Sequence, residues 1–79
     1  MKVRIQLFGA LGGKLPQFAS PEGVEIELPD NSTAGDLLEY LKIPDAWHPA
    51  VAMNSRLLKY EGRIQDGAEI RIFQAVHGG

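Results

Sequence analysis

Three stretches of two-residue alternation constrain this chain more than anything else in it. Val3, Ile5 and Leu7 face one way, and Lys2, Arg4, Gln6 and Phe8 the other. Val24, Ile26 and Leu28 alternate with Glu25 and Glu27, and Ile70 and Ile72 alternate with Glu69, Arg71 and Phe73. A period of two belongs to a strand with one buried face and one wet face, so each strand needs a cover on one side only. A single segment has helical spacing: Ala34, Leu37, Leu38 and Leu41 share a stripe. Thr33 can cap that helix, with Asp36 three residues on as a short-armed capping box, and Pro44 forbids much continuation. Ala50 to Asn54 reads as a short apolar strand that Asn54-Ser55-Arg56 turns toward Leu57-Leu58. The dipeptide Asp66-Gly67 then leads into a last strand, Ala68 to Gln74. The order strand, strand, helix, strand, strand predicts an α+β roll, a sheet with one wet face packed on one helix. Its expected core is Val3, Ile5, Leu7, Val24, Ile26, Leu28, Leu37, Leu38, Leu41, Ile70 and Ile72.

At 79 residues the chain has room for one such core. Residues 9–23 hold four of its nine glycines together with Pro16 and Pro21, and read as a long loop with one short helical turn near Leu15. There is no cysteine, which excludes disulfides, thiolate metal clusters and thiol nucleophiles. The net charge is -2, and the eight basic residues are scattered singly, so no nucleic-acid footprint forms. No apolar run approaches the length of a membrane span, and the opening MKVRIQLF lacks a signal peptide's apolar core. A cytoplasmic protein is expected.

Side-chain chemistry is sparse. GALGGK at 9–14 fails the phosphate-loop pattern, because Phe8 stands where a glycine is needed and Leu15 where Ser or Thr is needed. His48 and His77 have no metal spacing, so no metal or bound cofactor is expected. Trp47 reads as a lid over the helix end, and Glu25 with Glu27 as a solvated strand face. The odd feature is the end of the chain, Gln74-Ala75-Val76-His77-Gly78-Gly79. Two glycines would let a terminal carboxylate pass down a narrow channel into another protein's active site. The bland reading is a frayed terminus.

The opening strand VRIQLF, the helix entry STAGDLLEYL, the segments VAMNSRLL and QDGAEIRIF, and the terminal Gly78-Gly79 together resemble the ubiquitin-like sulfur carriers of the MoaD/ThiS family. The resemblance spans nearly the whole chain. It implies a β-grasp roll with a mixed sheet of four to five strands. One carrier domain would cover 1–79, globular over 1–74 with a flexible tail at 75–79. It also implies a function. An adenylating enzyme akin to ubiquitin-activating enzymes would activate the Gly79 carboxylate with ATP, and Gly78 would keep the approach thin. Sulfur would then be installed as a thiocarboxylate and delivered to a cofactor precursor. The chain would be a carrier or small synthase subunit without an active site beyond that carboxylate.

The connection of about fifteen residues between the first two strands resembles the small subunit of molybdopterin synthase. Phe73-Gln74 looks more like a thiamine-pathway carrier, whose acceptor would be thiazole synthase rather than the molybdopterin synthase large subunit. A ubiquitin-like protein modifier, or a binding module whose Gly-Gly is accidental, are readings of other classes. Strand alternation puts Phe73 on the outer face and Phe8 outward or at the sheet's rim, where exposed apolar clusters commonly mark partner sites; the alternative is that one or both rings fold over the sheet edge into a secondary core. By resemblance Phe8, Leu57 and Phe73 form the docking patch, with Val76 and His77 also at the partner interface.

Overall fold

The structure is a computed structural model that describes residues 1–74. Five strands form one sheet: β1 (Lys2–Phe8), β2 (Val24–Glu27), β3 (Pro49–Met53), β4 (Arg56–Leu58) and β5 (Glu69–Gln74), in the order β2-β1-β5-β3-β4. β1 pairs with β5 in parallel, and the other three pairings are antiparallel. The sheet is therefore mixed, and the expected β-grasp architecture is present.

The main helix, α2 (Ala34–Tyr40), starts where its capping chemistry requires. Thr33 Oγ1 accepts from the Asp36 N–H at 3.1 Å, and Asp36 Oδ2 accepts from the Thr33 N–H at 2.9 Å. The next two N–H groups donate to carbonyls of a neighbouring loop, Ala34 to Gly62 at 2.9 Å and Gly35 to Tyr60 at 2.8 Å. Gly35 permits this approach, because a β-carbon there would collide with the Tyr60 ring. A helix of seven residues is marginal alone. Burial of Ala34, Leu37 and Leu38 against the sheet holds it.

The 9–23 connection has the helical turn expected near Leu15, and is more ordered than a long loop. Ala10–Lys14 forms a short helix, α1, and a 3-10 turn follows at Pro16–Phe18. Leu11, fully buried, and Leu15 stand four residues apart and both enter the core. Tertiary burial outweighs the poor helix propensity of Gly12 and Gly13. Leu7 and Val24, expected inside, lie half-buried at the core's margin. Ile43, Val51, Ile64 and Ala68 complete the interior. Trp47 packs partly buried against the core, and the Lys14 ammonium sits 4.4 Å from its ring centroid. This cation–π contact ties α1 to the segment after α2.

β3 and β4 are joined by the shortest hairpin connection. Asn54 and Ser55 both have positive φ, 49° and 73°, the signature of a type I′ turn. Asn54 also anchors the hairpin to β5, its Oδ1 accepting from the Glu69 N–H at 3.0 Å.

Candidate functional site

Alternation and register determine what the open face of the sheet carries. Ile70 and Ile72 of β5 are buried, so Glu69, Arg71 and Phe73 face away from α2. The parallel ladder sets Gln6 beside Arg71 and Phe8 beside Phe73. The ladder to β3 sets Ala52 beside Arg71 and Ala50 beside Phe73, and Leu57 of β4 stands opposite Ala52. Two cross-strand rows result. One holds Phe8, Phe73 and Ala50, and the next holds Gln6, Arg71, Ala52 and Leu57.

The rest of this face is polar. Glu25 pairs with Arg4 and Arg4 with Glu69, while Glu27 pairs with Lys2. These residues, with Asp66, line an open cleft of about 600 Å³. Carboxylates and bases alternate around it, so it offers no concentrated charge of one sign.

Phe8 is 44% exposed and Leu57 is 75% exposed. Phe73, expected on the outer face, is half-buried there, because β5 lies inside the sheet with Phe8 and Ala50 on either side. Half-buried Phe73 is not one of the side chains packed against the core. β1 and β5 run parallel, and Phe8 and Phe73 stand near their C-terminal ends. The apolar row therefore borders the end of the sheet where the chain passes from Gln74 into residues 75–79. Val76, His77, Gly78 and Gly79, expected to act in the tail, lie outside the described residues. Ala50, Ala52 and Arg71 belong to the same surface but were not singled out from sequence. Counting outward from buried Val51 would have placed the two alanines there.

Among the described residues no three His, Asp or Glu side chains are grouped to hold a metal ion, and no helix is long and apolar enough to cross a membrane. A mixed five-stranded sheet packed on one main helix is the build of a MoaD/ThiS-type ubiquitin-like carrier. The chain belongs to the ThiS family, whose model matches residues 5–79.

Solved structures agree on the fold. A Pyrococcus furiosus protein described as molybdopterin converting factor subunit 1 superposes with a TM-score of 0.72 at 23% identity, covering 96% of this chain and 99% of its own. The small archaeal modifier protein 1 of Haloferax volcanii superposes with a TM-score of 0.71 at 22% identity, covering 100% of both chains. A second structure of that modifier gives 0.73 at 19% identity, over 95% of this chain and 98% of its own. A comparison with curated proteins gives no match.

Proposed function

We propose that this chain is a cytoplasmic sulfur carrier whose Gly79 carboxylate is the reacting group, and that it serves molybdopterin biosynthesis. The observation that carries the reading is the row of Phe8, Phe73 and Ala50 at the exit end of β5, on a member of the ThiS family. A carboxylate is a poor electrophile and needs a leaving group. Its oxygen attacks the α-phosphorus of ATP on a partner adenylating enzyme, and pyrophosphate departs. A sulfide-level nucleophile then displaces AMP at the acyl carbon, leaving a thiocarboxylate that gives its sulfur to the precursor held by the synthase large subunit. The carrier's own residues supply placement. The apolar rows dock the partner, and Gly78 adds no side chain that could block a narrow channel.

Deleting Gly79 is expected to abolish ATP–pyrophosphate exchange by the cognate adenylating enzyme with the melting temperature unchanged. Normal exchange by the truncated chain would refute the reading. Intact-mass spectrometry after incubation with enzyme, ATP and a sulfur donor should show one oxygen replaced by sulfur.

The molybdopterin branch is favoured by the connection between β1 and β2, which brings Leu11 and Leu15 into the core, and by the likeness to the P. furiosus protein over nearly its whole length. Restoration of a large-subunit-dependent synthase reaction tests it, against thiazole synthase as the alternative acceptor. A modifier reading draws support from the end-to-end match to the H. volcanii modifier. Isopeptide conjugates between Gly79 and target lysines in cell lysate would favour it.

A further inference from the structure

We propose that Arg71 selects the docking partner: the surface seated on the open face carries a carboxylate opposite its guanidinium, within a ring of apolar groups. This deepens the carrier reading and rests on it. Arg71 is exposed and stands in the row of Gln6, Ala52 and Leu57, one row from Phe8, Phe73 and Ala50. It is the one charged residue in those two rows. Its guanidinium makes no hydrogen bond or ion pair with the described residues.

The acids nearest in the fold do not answer it. Glu69 is the preceding outward position of β5, yet no ion pair forms between them within 4.0 Å. Glu22 shares a cleft of about 160 Å³ with Arg71, Arg4, Gln6 and Glu69, but there its backbone carbonyl accepts from Arg4 Nη1 at 3.2 Å. A partner burying Phe8, Phe73 and Leu57 must also cover Arg71. Covering a guanidinium with apolar groups alone strips its hydration and returns nothing, which opposes docking. A carboxylate set across from it restores the balance through two parallel N–H···O bonds, and it rejects surfaces that lack one.

The test uses the full-length chain and the cognate adenylating enzyme, reading the carrier concentration that half-saturates ATP–pyrophosphate exchange at low and high salt. Arg71→Gln is expected to raise that concentration about tenfold, and Arg71→Glu further, with the maximal rate within about twofold of wild type. Arg71→Lys should recover only part of the loss, because an ammonium cannot make the paired bonds. Salt should weaken wild type and leave Arg71→Gln nearly unaffected. Phe73→Ala is the control for the docking reading, and melting curves verify that each variant is folded. Half-saturation unchanged in Arg71→Glu but raised in Phe73→Ala would overturn the role of Arg71 and leave the docking face standing. If neither variant shifts it, the docking face itself is wrong. Glu69→Gln should match wild type. A loss equal to that of Arg71→Gln would mean that Glu69, and not the partner, neutralises the guanidinium.

Discussion

Leu57→Ala separates docking from folding more cleanly than any other change on the open face. Fully burying a leucine side chain is worth about 1.5–3 kcal/mol. Leu57 is 75% exposed, so about three quarters of that, roughly 1–2 kcal/mol, is still available to a partner. The remaining quarter, about 0.5 kcal/mol, is already spent in folding. Alanine keeps the β-carbon, which brings the expected docking loss to about 1 kcal/mol, or about fivefold in Kd. The folding loss should stay below about 0.5 kcal/mol, within the scatter of surface substitutions. Phe8, at 44% exposed, divides its contribution almost evenly, so Phe8→Ala should lower both quantities. The assay is titration calorimetry against the cognate adenylating enzyme, paired with urea denaturation followed by far-ultraviolet circular dichroism. Docking within twofold of wild type would refute the assignment of β4 to the interface. A folding loss larger than the docking loss would mean that Leu57 is a core residue in solution.

Thr33→Ala removes the acceptor for the Asp36 N–H and frees one side of a reciprocal cap. It should cost about 1 kcal/mol and lower the melting temperature by about 4–8 °C, while Thr33→Ser keeps most of the stability. Ser55 holds φ at 73°, where an L-residue is strained and glycine is not. Ser55→Gly should gain about 0.5 kcal/mol by denaturant titration, the relief of strain exceeding the larger chain entropy glycine brings to the unfolded state. Leu37 is fully buried beneath the sheet. Leu37→Ala should cost about 2–5 kcal/mol, a large share of what a chain this small has, and a loss under 1 kcal/mol would contradict the packing.

The strands and the main helix were legible because each announces itself locally. β1 and β5 alternate without interruption, and Thr33 with Asp36 marks the start of α2 before any tertiary contact is considered. A short helical turn near Leu15 was legible in the 9–23 connection, but the full extent of α1 and its part in the core were not. Its core residue Leu11 and the capping Leu15 that follows it are separated by Gly12, Gly13 and Lys14, and only the space they fill makes that spacing meaningful. Leu7 and Val24 were placed inside by alternation, but both lie toward the margin of the buried layer. Alternation reports which face a residue is on and is silent about how far along that face the cover reaches. The same limit hid Arg71. Its outward direction could be counted from Ile70 and Ile72, but its company of Gln6, Ala52 and Leu57 comes from three other strands and exists only in the folded register.

That register is what makes an almost featureless small protein specific. Consecutive residues of β5 serve opposite masters: Ile70 and Ile72 fill the core, and Arg71 and Phe73 face outward. A slip of one residue would bury the arginine and expose the isoleucines, so the cost of misplacing the core residues also enforces the outward row. The parallel pairing with β1 extends the constraint, because Ile5 beside Ile70 necessarily sets Phe8 beside Phe73. The outer face thus needs no network of its own to hold its shape. Its side chains can stay uncommitted toward solvent while the opposite face of the same strands fixes their spacing. Substitutions on the outer rows can retune affinity without passing through the core, and core substitutions change stability without redirecting the chain that leaves β5 at Gln74.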